Sequence, residues 1–95
     1  MKSSVTKVFR KKLDELPVSV QEQAAIAYAL WRSDPYHNSL QFKRVSQCQP
    51  IYSARISLDY RVLGLLQNDR IYWFWIGAHT EYDELLQRCS TSSLR

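Results

Sequence analysis

Apolar residues recur along this chain at two different periods, and the period changes after Pro35. Val5, Phe9, Leu13 and Leu16 return every three or four residues, which predicts one face of a helix over 5–16. Lys7, Arg10, Lys11, Lys12 and Asp14 fall largely on the rest of its surface. Pro17 ends this helix, because the residue before a proline is pushed out of the helical region; a short strand ahead of the helix is only weakly signalled. Val20, Ala24, Ala27, Tyr28 and Trp31 form the stripe of a second helix over 18–33, widened by Ala25, Ile26, Ala29 and Leu30. Ser19, with Glu22 three residues on, reads as its capping box, and Asp34-Pro35 stops it. The short break at Pro17 makes the pair a helical hairpin.

Beyond Pro35 the period shortens to two. Segments 39–47, 51–58, 60–67 and 70–77 read as strands, punctuated by Pro50, Asp59 and Asn68-Asp69. Ala54, Ile56 and Leu58 alternate with Ser53, Arg55 and Ser57, as in a half-buried strand. Ile71 to Ile76 is apolar throughout, which suits a central strand covered on both faces. Asn68-Asp69 is a tight-hairpin candidate, and Tyr82 to Arg88 a short final helix. Helices followed by a run of strands predict an α+β fold, an N-terminal two-helix hairpin packed on one face of a small antiparallel β-sheet.

Ninety-five residues suit one domain, 1–95, with 90–95 as a frayed tail. The formal charge of +4 favours an anionic partner without choosing between nucleic acid, an acidic protein segment and a membrane surface. Cys48 and Cys89 lack metal-ligand spacing and are expected as free thiols. No stretch approaches the roughly 18 apolar residues of a membrane span, and Met1-Lys2-Ser3-Ser4 opens no signal-like apolar run, so a cytoplasmic location is expected. A Gly-rich phosphate loop, HExxH and CxxC are all missing, so no metal or other cofactor is expected.

The candidate chemistry lies on the strands and just beyond them. From 43 to 70 there are five cations, Lys43, Arg44, Arg55, Arg61 and Arg70, against Asp59 and Asp69. Antiparallel pairing would gather several of them, at a cost that a phosphate backbone would offset; a solvated face with arginines paired to carboxylates or carbonyls is the alternative. His79 can act as acid or base near neutrality, and Tyr82 can donate a proton or stack on a base. On their own these two fit equally a hydrogen-bonded strand-end histidine and a core tyrosine.

Taken in order, Leu16-Pro17, Trp31, Asp34-Pro35, Ser39-Leu40 with Phe42-Lys43, Tyr52-Ser53-Ala54-Arg55, Tyr60-Arg61-Val62-Leu63-Gly64 and Trp73-Phe74-Trp75-Ile76-Gly77 through His79-Glu81-Tyr82 resemble the RelE/ParE toxin superfamily over about residues 9–86. The resemblance implies the toxin of a type II toxin–antitoxin pair and a cognate acidic antitoxin. RelE-like members are metal-independent endoribonucleases that cut messenger RNA, usually on the ribosome, and so inhibit translation; ParE-like members poison DNA gyrase. A decayed toxin that only binds antitoxin as a co-repressor is a third possibility. For a ribonuclease, the resemblance assigns Arg61, His79 and Tyr82 to catalysis and Lys43, Arg44 and Arg55 to substrate binding. The strand Tyr52 to Arg55 departs from the lysine-rich strand of RelE itself. No clear counterpart exists for the acidic base of some members, although Glu81 is close by.

Overall fold

The computed structural model describes residues 2–46 and 48–93, and the side chains of 87–93 lie outside that description, Cys89 among them. The chain begins in a strand, β1 (Lys2–Val5), where helix was expected from residue 5. Helix α1 (Lys7–Asp14) starts two residues later because Thr6 caps it, its hydroxyl accepting from the Phe9 amide at 3.2 Å. Helix α2 (Val18–Ser33) starts straight after Pro17, whose carbonyl accepts from the Val20 and Gln21 amides. The helix is thus already under way at Ser19, and the expected capping box has no terminus to cap. Gln21 ties the hairpin corner instead, donating to the Leu16 carbonyl at 2.9 Å.

A five-stranded sheet follows with β2 (Lys43–Arg44), β3 (Ile51–Arg55), β4 (Tyr60–Gln67) and β5 (Arg70–Ala78), in the spatial order β1-β5-β4-β3-β2. Strands β2 to β5 form the expected antiparallel meander. The sheet is nevertheless mixed, because β1 adds to it parallel to β5. That arrangement follows from the path: after β1 the hairpin carries the chain across the whole sheet to β2, and the meander then returns to β1's side. Arg70 secures the added edge by donating to the Ser3 carbonyl and to the Ser4 hydroxyl at 3.1 and 2.7 Å.

The expected strand 39–47 shrinks to two residues. Asn38–Leu40 is a 3₁₀ turn, and Gln41 takes a left-handed conformation at φ 48°, so no continuous strand can pass through it. Leu40 and Phe42 are both buried, which is the alternation that imitated a strand. The hairpin at Asn68 and Asp69 has both residues at positive φ, 51° and 64°, as a two-residue type I′ connection requires. One extra residue on β5, Phe74, bulges the ladder so that Leu63 pairs with Trp75 and Gly64 with Trp73.

The core lies between the hairpin and one sheet face. Trp31 is 2% exposed and meets Trp73 and Phe42 edge-to-face at centroid distances of 5.4 and 5.8 Å. Phe9, Leu40, Ala54, Val62, Ile71 and Ile76 complete the cluster. Helix α3 (His79–Ser93) follows β5 without a loop and is longer than the expected 82–88 helix. No helix among the described residues is long and apolar enough to cross a membrane.

Candidate functional site

Strand alternation places Ala54, Val62 and Ile76 in the core, so Ser53, Arg55, Arg61 and Gly77 face the other way. Arg55 and Arg61 are direct cross-strand partners, and Arg61 also pairs with Gly77. Two like charges therefore oppose each other on adjacent strands about 4.8 Å apart, an unfavourable arrangement by itself. Among the described residues the one ion pair is His79 with Asp83, so neither arginine has a carboxylate partner. Both lean on the turn before β2: Arg55 donates from Nε to the Ser39 carbonyl at 3.3 Å, and Arg61 from Nη1 to Gln41 Oε1 at 3.0 Å. The Arg61 Nε–H is buried without a hydrogen-bond partner.

The first turn of α3 folds back over this face. Tyr82 is 6% exposed, and its hydroxyl meets the buried Ser53 hydroxyl at 3.1 Å. The Arg61 guanidinium lies over the Tyr82 ring, 5.6 Å from its centroid. The His79 ring stacks on the same tyrosine at 6.3 Å and 27°. Arg61, Tyr82 and His79 thus form one contiguous row. His79 remains about half exposed; its Nδ1 is 3.5 Å from Asp83 Oδ2, and its amide donates to the Asp59 carbonyl at 2.7 Å. Gly77 is needed beneath the row, since a Cβ there would come within 2.5 Å of the Trp75 ring.

The remaining basic positions divide. Lys43 pairs with Ser53 and so belongs to the face that carries the row, at its exposed edge. Arg44 pairs with Tyr52, which packs against the core, and therefore lies on the opposite side; its Nε donates to the Ser46 carbonyl at 2.9 Å. Gathering Arg44 with the other cations was an error of register, because successive strand residues alternate faces. Arg70 lies at the far end of β5, occupied with β1. Three further participants are Gln41, Ser53 and Asp83. The four-residue spacing of His79 and Asp83 would have disclosed the last, had the helix been started at 79 rather than 82. Nothing in the sequence pointed to Gln41. Cys48 is a free, exposed thiol on the loop before β3. The described residues contain no His/Cys/Asp/Glu cluster able to hold a metal.

The match of most of the chain to a toxin-domain family, on a helical hairpin packed against an antiparallel meander, makes this a toxin of the RelE/ParE superfamily. Residues 18–84 match the ParE-like toxin domain, and the chain belongs to that family. Two solved structures share the fold. RelE in the RelB–RelE antitoxin–toxin complex of Methanococcus jannaschii superposes with a TM-score of 0.67 at 16% identity, over 85% of this chain and 95% of that one. A copper-bound mutant toxin from Helicobacter pylori gives 0.57 at 21% identity, over 85% and 97%. No curated protein sequence matches the chain.

Proposed function

We propose that this toxin is a metal-independent endoribonuclease that cuts messenger RNA. The observation that carries the reading is the opposed Arg55–Arg61 pair, without a carboxylate among the described residues. A phosphate supplies the missing negative charge. In the cleavage, the 2′-oxygen attacks the adjacent phosphorus, the bond to the 5′-oxygen breaks, and a 2′,3′-cyclic phosphate and a 5′-hydroxyl result. Arg55 and Arg61 stabilise the charge that develops on the phosphorane. His79, whose Nδ1 faces Asp83, donates the proton that the leaving 5′-oxygen needs, and solvent takes the proton from the 2′-hydroxyl. Tyr82, its hydroxyl held by Ser53, is the platform that aligns Arg61 and His79. Lys43 extends the phosphate track along the sheet edge.

A cognate acidic antitoxin is the expected protein partner. The +4 charge and the fold shared with a RelE that was crystallised with its RelB support it. The gyrase-poisoning reading is favoured by one finding, the match to the ParE-like domain. One experiment separates the two: purified toxin incubated with RNA, alone and on programmed ribosomes, and in parallel with gyrase and relaxed plasmid. Cleaved RNA ending in 2′,3′-cyclic phosphate, with supercoiling unimpaired, supports the ribonuclease. Intact RNA with supercoiling blocked replaces it with the gyrase inhibitor.

A further inference from the structure

One short turn holds both arginines of the proposed phosphate site, and it holds them with uncharged oxygens. Ser39 lies in the 3₁₀ turn Asn38–Leu40, and Gln41 ends it. The Ser39 carbonyl accepts the Nε–H of Arg55, and Gln41 Oε1 accepts a proton from Arg61 Nη1. The turn is pinned on both sides of Gln41, because Leu40 and Phe42 are buried in the core while Gln41 between them is exposed. The Gln41 amide also donates to the Asn38 carbonyl at 3.3 Å. Position 41 is therefore a fixed post from which a side chain can reach Arg61.

The residue on that post is not the one its backbone favours. Gln41 is left-handed, at φ 48° and ψ 42°. Glycine adopts that region freely, and asparagine and aspartate tolerate it best among the others. Glutamine gains nothing from the backbone there. What it gains over asparagine is one methylene of reach, and over aspartate or glutamate the lack of charge. Arginine only donates, so the amide must turn its oxygen towards Arg61, and it does. A carboxylate in the same place would form an ion pair and supply the negative charge that the opposed arginines lack. A neutral acceptor instead orders the guanidinium and leaves its charge to be matched by a ligand. The Arg61 Nε–H is buried, so that ligand must meet the Nη groups, and Gln41 engages only one of their protons. The Tyr82 ring steadies the face of the same guanidinium from 5.6 Å.

We infer that Gln41 is a positioning residue, which pre-orders Arg61 for an RNA phosphate without neutralising it. The inference rests on the ribonuclease reading for its ligand, but the order of Arg61 can be measured without RNA. Gln41→Gly suits the left-handed backbone and so keeps the fold, while Gln41→Glu keeps the acceptor and adds charge. The ¹⁵Nε heteronuclear NOE of Arg61 in the free protein should report a rigid side chain in wild type and Gln41→Glu, and a mobile one in Gln41→Gly. Binding to a 2′-O-methylated single-stranded RNA, followed across salt, should then separate order from charge. Gln41→Gly should weaken binding about 2–10-fold, the cost of ordering one long side chain, with the salt slope unchanged. Gln41→Glu should lower the slope by about 0.7, as the loss of one phosphate-held cation does. In an Arg61→Ala background, Gln41→Gly should have no further effect. Three results overturn the inference: an Arg61 that stays rigid in Gln41→Gly, a Gln41→Glu protein with wild-type affinity and slope, or a Gln41→Gly loss that persists without Arg61. The last would make Gln41 an RNA contact in its own right. A wild-type protein that binds no RNA removes the ribonuclease reading, and the NOE then decides by itself whether Gln41 holds Arg61.

Discussion

The two faces of the sheet are built from alternate residues of the same strands, yet they are organised on opposite principles. On the hairpin side, Ile71 is fully buried and Ile76 and Trp31 almost so, within an aromatic and aliphatic cluster. On the other side, Arg55 and Arg61 oppose each other, and one helical turn carrying His79 and Tyr82 covers only part of the surface. Moving along β4 by one residue, from Val62 to Arg61, crosses from one regime to the other. Hydrophobic burial on the first face supplies the free energy that keeps the two like charges together on the second. Stability and chemistry are therefore separable by substitution.

The largest separation is expected at His79. His79→Ala removes the proposed general acid and should lower RNA cleavage about 10²–10⁴-fold, with the thermal midpoint unchanged; cleavage at the wild-type rate would exclude His79 from the chemistry. On the core face, Ile71→Ala should cost about 2–5 kcal/mol in urea unfolding, because a fully buried side chain leaves a cavity. A loss under about 1 kcal/mol would mean that the two faces share the stabilising burden. Tyr82→Phe removes one buried hydrogen bond, to Ser53, and keeps the ring beneath Arg61 and His79. The same unfolding assay should show a loss of about 1 kcal/mol, while cleavage should persist; if cleavage is abolished, the hydroxyl takes part in the reaction. The smallest effect has the opposite sign. Arg55→Gln relieves the cross-strand repulsion and should raise stability by about 0.2–1 kcal/mol as it weakens RNA binding. A destabilised variant would show that the Ser39 contact outweighs the repulsion.

The two faces also differed in how far the sequence disclosed them. The core face was legible because period and burial coincide: 60–67 is the observed β4, and the apolar run 71–76 lies within β5. Counting outward from the Asn68-Asp69 turn brings Arg61 to within one residue of Gly77, and the bulge at Phe74 brings them into direct pairing. Where burial came without regular backbone, the same logic misled: Leu40 and Phe42 alternate like strand residues on either side of a left-handed Gln41. Strand β1 was too short and polar to announce itself, and its stability comes from Arg70 and the β5 ladder. On the charged face, Arg61, His79 and Tyr82 were foreseen as neighbours, and the geometry brings them together. Gln41 reaches that face through a tertiary contact that no local pattern encodes, and alternation places Ser53 there without disclosing its partner Tyr82.

The central claim, that the opposed arginines hold an RNA phosphate, is tested most directly by the salt dependence of binding to a short single-stranded RNA made uncleavable by 2′-O-methylation. Each phosphate held by a cation contributes about 0.7 to the slope of log affinity against log salt for a single strand. Arg61→Ala should therefore weaken binding and reduce that slope by about 0.7 relative to wild type, with thermal unfolding unaltered. An Arg61→Ala protein that binds the RNA with wild-type affinity and an unchanged slope would contradict the account.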